Sequence, residues 1–215
     1  MDMKKIAIIL ACLAAVPVMA DDYWDEYDYA TTAPRRDTYA GFRVHKNEKI
    51  AFKYDETHGG NSTIRKDNWG FGAVVGNRLT DYVKIEFETL YTGVEQSKRT
   101  RDFDYDIWAN MFNVYLFREF GGAVAPYVGL GLGFAAIWGD VDTNAGNMSD
   151  SVFDLSFQAM AGVNFALNDR IDLNLGLKYQ YYGEVEHKLH GDTYATTDID
   201  ATELYFGAVY KFGIK

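Results

Sequence analysis

The chain has one cysteine, three prolines and four histidines in 215 residues, and each scarcity removes a class of protein. Cys12 lies in the N-terminal apolar stretch, so the sequence beyond it offers no disulfide and no thiol chemistry. With three prolines, long segments run free of strand breakers. Basic residues form no stripe, and the formal net charge is −10, which argues against nucleic acid as a partner. No segment holds a helical period, and no apolar run of bilayer-spanning length follows residue 20. Membrane helices are therefore excluded.

The abundances point elsewhere. The chain carries 16 Tyr, 14 Phe, 4 Trp and 20 Gly, a strand-forming composition. Residues 171–181 alternate strictly: Ile171, Leu173, Leu175, Leu177, Tyr179 and Tyr181 are apolar or aromatic, and Asp172, Asn174, Gly176, Lys178 and Gln180 lie between them. Strand side chains alternate faces, so this segment has one oily wall and one wet wall. The pattern returns at 153–165, with Phe153, Leu155, Phe157, Val163 and Phe165 on one parity. It returns again at 203–212, with Leu204, Phe206, Ala208, Tyr210 and Phe212 opposite Glu203, Tyr205, Gly207 and Lys211. Ten-residue alternating segments separated by turns mark a transmembrane β-barrel.

The N-terminus fits an exported protein. Lys4 and Lys5 precede the apolar run 6–18, and Val18-Met19-Ala20 forms a small-residue cleavage site before Asp21. A lipoprotein reading at Cys12 is the alternative, but it leaves a short apolar core ahead of the cysteine. The expected organisation is a signal peptide at 1–20, an acidic, tyrosine-dotted periplasmic tail at 21–38, and one barrel domain at 39–215. Removing residues 1–20, which carry Asp2, Lys4 and Lys5, takes the formal charge from −10 to −11.

Eight strands are expected, at about 39–53, 68–78, 82–92, 105–118, 124–137, 153–165, 171–181 and 203–212. In the first, Ala40, Phe42, Val44, Ile50 and Phe52 share a parity interrupted by the charged patch 45–49. The fourth is aromatic on both parities, and its facing stays open. Connectors near 77–81, 119–123 and 167–170 are tight, whereas 54–67, 93–104, 139–152 and 184–200 read as long polar loops. Short periplasmic turns and longer outer loops suit an outer-membrane barrel. A soluble barrel would bury the apolar parity inside. Here the polar parity carries three glycines in the second strand and three in the fifth, which would underfill such a core. Facing a narrow lumen, they make room for long charged side chains opposite. Aromatics gather toward the loops (Trp69, Tyr91, Trp108, Trp138, Phe153, Tyr179, Tyr181) and toward the turns (Tyr82, Phe117, Phe165, Tyr210, Phe212), as two interfacial girdles would. The fold class is all-β: an eight-stranded antiparallel up-and-down transmembrane β-barrel.

Three stretches carry a family resemblance. Residues 125–133, Ala-Pro-Tyr-Val-Gly-Leu-Gly-Leu-Gly, resemble a glycine-alternating strand common in porin-like barrels, and Asn113-Val114-Tyr115 resembles the end of the strand before it. Tyr210-Lys211-Phe212 is similar to the aromatic signal that outer-membrane assembly machinery reads on the last strand, although Gly213, Ile214 and Lys215 follow it. The chain thus resembles the small eight-stranded outer-membrane proteins, the OmpA transmembrane domain and the OmpX/Opa-type barrels. That resemblance implies the outer membrane of a Gram-negative bacterium, and lipid and lipopolysaccharide as surroundings. It further implies a monomer with a structural or surface-interaction role, with host or surface ligands at the loops. It implies no cofactor and no single activity.

The lumen parity carries Arg43, Arg78, Lys84, Lys178 and Lys211 against Glu86, Glu88, Asp154, Asp172 and Glu203. Five positive and five negative charges suggest mutual pairing, because a buried lone charge is costly. An ionic plug that stiffens the barrel is the expected outcome, and a narrow diffusion pore is the alternative. A lipid-processing enzyme ranks third. His58, His187 and His190 fall in outer segments near Ser62, but no motif ties a serine to a histidine and no nucleophile elbow is present. Asp140, Asp142, Asn144 and Gly146 briefly resemble a calcium loop, yet Ala145 and Ser151 replace the required glycine and glutamate.

Overall fold

The computed structural model describes residues 37–56, 61–98, 101–120, 123–143, 146–189 and 192–212. Eight strands follow one another: β1 (Thr38–Glu56), β2 (Asn61–Arg78), β3 (Val83–Lys98), β4 (Arg101–Phe117), β5 (Val124–Thr143), β6 (Gly146–Ala166), β7 (Ile171–Leu189) and β8 (Asp192–Phe212). Each pairs antiparallel with its sequence neighbours, and β8 closes on β1, with Thr38 opposite Phe212 and Val44 opposite Phe206. Over the closed part of the barrel, bounded between β2 and β3 by Gly70–Thr92 and between β6 and β7 by Phe157–Tyr181, every strand is paired on both sides, the condition for strands to cross lipid.

At the turn end the strand limits fall within a few residues of those the alternation gives. At the other end they run further. Within the described residues the segments expected as long loops extend the strands as hairpin ladders: Asp142 pairs with Asn147 and Thr143 with Gly146, and Lys98 pairs with Arg101. A tilted strand needs about 9–11 residues to cross a bilayer, and these have 16–21. Ladder hydrogen bonds continue the sheet where the sequence shows no apolar parity. The same pairing rules out a wrapped calcium loop over 140–151, because 140–143 lie extended against 146–149.

The outward parity forms an apolar band. Phe42, Phe71, Phe112, Leu130, Leu132, Leu155, Leu177 and Phe206 are more than half exposed. Trp69, Tyr91, Trp108, Trp138 and Phe153 face out toward the hairpin end, and Tyr82, Phe165, Tyr210 and Phe212 toward the turn end. The hairpin-end rings keep polar partners: Tyr91 Oη donates to Asp106 Oδ1 at 2.6 Å, and Trp108 Nε1 to Thr89 Oγ1 at 2.6 Å. One girdle assignment changes: Phe117 turns inward beneath the Arg78 guanidinium, whereas Tyr179 keeps the outward parity and is covered by the Phe157 ring.

Bulges explain the other departures. In β1 the register shifts between Asn47 and Lys49, so Asn47 opposes Glu203 while Ile50 opposes Ala201. The extra residue flips the parity, and Ile50 faces the interior instead of sharing the outer face of Val44. In β7 a second shift puts Tyr182 inside and Gly183 at φ +124°. β4 directs Tyr105, Ile107, Ala109, Met111, Asn113, Tyr115 and Phe117 inward and Trp108, Phe112 and Val114 outward.

Candidate functional site

The lumen is built in layers. Its middle is ionic and draws on β1, β3, β7 and β8. Arg43 Nη1 donates to Glu86 Oε1 at 2.6 Å and Nη2 donates to Glu86 Oε2 at 2.9 Å, while Nη1 also reaches Glu88 Oε1 at 3.2 Å. Lys178 Nζ lies 3.1 Å from Glu203 Oε2 and 3.9 Å from Glu88 Oε2. His45 stands between two carboxylates, with Nδ1 2.9 Å from Glu203 Oε2 and Nε2 3.3 Å from Glu88 Oε1. Every one of these six side chains is at least 97% buried. Tyr115 and Tyr39 donate to Glu86, Tyr182 donates to Glu203, and Gln158 donates to Glu88. Buried charges persist only when paired and hydrogen-bonded in this way.

Above this layer, toward the hairpin end, the lumen becomes apolar. Ile50, Leu90, Ile107, Ala109, Ala135, Ile137, Tyr182, Ile199 and Ala201 pack together at 0–2% exposure. Below it, toward the turns, Tyr115, Phe117, Tyr127, Met160 and Tyr205 form a second cluster.

Inward glycines seat these rings. Tyr39 opposes Gly76, Tyr115 opposes Gly129, Tyr127 opposes Gly162 and Tyr205 opposes Gly176 in the strand registers. A Cβ at Gly129 would stand 2.5 Å from Tyr115 Cδ1, and one at Gly176 would stand 2.6 Å from Tyr205 Cζ. The glycines therefore make room for tyrosine rings more than for the charged chains expected there. Tyr127 and Tyr205 then meet hydroxyl to hydroxyl at 2.5 Å.

The ten residues expected to form one network are divided. Arg43, Glu86, Glu88, Lys178 and Glu203 meet in the central layer. Lys211 and Asp172 pair at 2.8 Å near the turn end. Arg78 sits at the turn rim, where it binds Glu119 at 2.5 Å and Asp81 at 3.2 Å. Lys84 packs against aromatic rings, and Glu86 pairs with Arg43. Asp154 joins no ion pair among the described residues; it accepts from the backbone N–H of Leu155 and of Glu184, both at 2.7 Å, beside the Gly183 bulge. A parity count could not separate these positions, because it fixes the face of a residue but not its height in the barrel.

His45 is the component that sequence reasoning missed as a site residue. The signal was present: it shares the parity of Arg43, two residues away. It is held between two glutamates inside the barrel. The side chains of His58, His187 and His190, and of residues 140–150, lie outside the described residues, as do the signal peptide with its Ala20/Asp21 junction, residues 21–36 of the tail, and 213–215. Tyr210 and Phe212 of the assembly signal face outward with ring centres 5.0 Å apart.

Comparison with known proteins agrees with this architecture. The family model described as outer membrane protein beta-barrel domain matches residues 8–212. A comparison with curated proteins finds no match. Among solved structures, OprG of Pseudomonas aeruginosa is similar at a TM-score of 0.58 and 15% identity, covering 85% of this chain and 97% of that one. Neisserial surface protein A is similar at 0.57 and 17%, covering 81% and 97%. AlkL, solved by solid-state NMR in lipid bilayers, is similar at 0.52 and 18%, covering 88% and 97%. At these identities the neighbours speak for the fold alone. The chain belongs to the outer membrane protein beta-barrel domain family.

Proposed function

We propose that this protein is a closed structural barrel of the bacterial outer membrane, with no chemistry of its own, that anchors the hairpins extending beyond the bilayer. One observation carries this reading: a buried ionic layer and a buried apolar layer stand in series across the lumen. An eight-stranded interior is just wide enough for side chains to fill, and here they do fill it. The outward apolar band contacts lipid and lipopolysaccharide, and the extended hairpins meet surface or host ligands. Export uses cleavage between Ala20 and Asp21, Tyr210 and Phe212 supply the assembly signal, and the barrel works as a monomer.

A narrow pore is the second reading, with Arg43, Glu86, Glu88 and Lys178 as its filter. The apolar layer counts against it, since Ile107 and Ile137 would have to part before water reached those charges. Liposome swelling with a small sugar tests the choice. Vesicles holding the folded protein should swell no faster than protein-free vesicles, and faster swelling that scales with protein content would establish the pore.

A further inference from the structure

The turn end of the lumen, the periplasmic side in barrels of this kind, holds a cation that forms no salt bridge among the described residues. Lys84, the second residue of β3, is 9% exposed. Its Nζ lies 4.8 Å from the ring centre of Tyr115, 5.0 Å from Tyr127, 5.7 Å from Tyr39 and 6.0 Å from Phe117. Among the described residues no carboxylate lies within 4.0 Å of it. Three nearby acids pair with other cations, Glu86 with Arg43, Asp172 with Lys211 and Glu119 with Arg78, and Asp37 lies on the same cavity wall. Aromatic faces attract an ammonium, but they do not replace the anion or hydration it gives up on burial.

A second unpaired group shares the same wall. Asn174 is 2% exposed, and its Nδ2 donates to Asn164 Oδ1 at 2.5 Å while its Oδ1 has no partner. Exchanging O and N in both amides keeps the bond between them and turns the unpaired atom into an N–H donor. Lys84, Asn164 and Asn174 line one cavity of about 70 Å³, with Arg78 and Lys211 on its wall. That volume holds a few waters or one small polar group.

We propose that this vestibule binds a small oxyanion, a carboxylate or phosphate group, with the Lys84 ammonium as counter-charge and the Asn174 amide as donor. The rim pairs Arg78–Glu119 and Lys211–Asp172 are each neutral, so they frame the site without filling it. Two sources of the anion share this chemistry. One is a free periplasmic solute. The other is the chain itself, because Asp21, Asp22, Asp25, Glu26 and Asp28 precede Asp37, which also lies on the cavity wall. The proposal rests on the barrel fold and holds whether or not the lumen conducts.

The test titrates folded, ¹⁵N-labelled protein in a detergent without phosphate, using sodium acetate and then sodium phosphate at constant ionic strength. Backbone and side-chain amide shifts of Lys84, Asn164 and Asn174 are the readout. The proposal expects saturable shifts at these residues. Lys84→Met should weaken binding about tenfold or more, the scale of one charge-assisted hydrogen bond, while Lys84→Arg keeps it. Asn174→Leu provides a second loss variant should Lys84→Met not fold. Neutralising the five acids of residues 21–28 to amides separates the sources. Tighter acetate binding in that variant identifies the chain's own carboxylate as occupant, and unchanged binding identifies a free solute. Linear, non-saturating shifts in both the native and the neutralised chain would overturn the proposal, as would saturable binding that survives Lys84→Met.

Discussion

Arg43 and Glu86 clasp each other through two parallel hydrogen bonds of 2.6 and 2.9 Å, although β2 lies between their strands. The reach is open because β2 presents Gly72 and Gly76 to the lumen; a Cβ at Gly72 would stand 3.2 Å from His45 Nε2. Removing Arg43 leaves Glu86 buried without its cation, and removing Glu86 leaves Arg43 with one carboxylate contact, the longer one to Glu88 at 3.2 Å. Glu86→Gln and Arg43→Met should each lower stability by about 3–5 kcal/mol, and the double variant should cost less than their sum. Urea unfolding in lipid vesicles, followed by tryptophan fluorescence, reads these differences. Additive losses would mean that the pair does not act as a unit.

The tyrosine seats make a second prediction. Gly129→Ala drives a methyl group into the Tyr115 ring and should cost about 1–3 kcal/mol, the usual scale of overpacking. In a Tyr115→Leu background the same change should cost much less. An equal penalty in both backgrounds would show that the ring does not occupy that seat.

The facing of β7 can be tested from outside the barrel. Leu175 is 44% exposed on the outward parity, so Leu175→Arg should cost about 2–4 kcal/mol at mid-bilayer. Gly176→Ser, one residue on, points inward but meets Tyr205, and it should also lower the refolding yield. A tolerated Leu175→Arg would contradict the lipid-facing assignment.

Asp154 has a local task. Its carboxylate accepts the Glu184 N–H next to the left-handed Gly183. Asp154→Ala should cost about 0.5–1.5 kcal/mol, the net worth of an ordinary hydrogen bond, and it should speed hydrogen exchange at the Glu184 amide. Unchanged exchange there would remove Asp154 from that role.

The barrel was legible because alternation is strongest where one face meets lipid and the other a polar lumen, as in Leu173–Lys178 of β7. It blurred for physical reasons. β4 is apolar on both parities because its inward residues Ile107, Ala109 and Met111 sit at or near the apolar layer, where the polar-inside rule lapses. In β1 one inserted residue after Asn47 reversed the facing of Ile50, and nothing in composition announces a bulge. The central charges were readable by parity. Which of them meet was not, because partners such as Arg43 and Glu86 lie on strands that do not touch, and their heights follow from the stagger of the whole barrel. His45 was hidden by its charged neighbours Lys46 and Lys49, which made an interior position look like a surface patch.

The most direct test of the closed lumen is single-channel recording of the folded protein in a planar bilayer, after a heat-dependent gel shift confirms folding. A folded and silent barrel is the predicted result, with the search for function moving to the extended hairpins. Reproducible conductance steps, altered in size or selectivity by Glu88→Gln or Lys178→Met, would contradict it and show that the charged layer lines an open path.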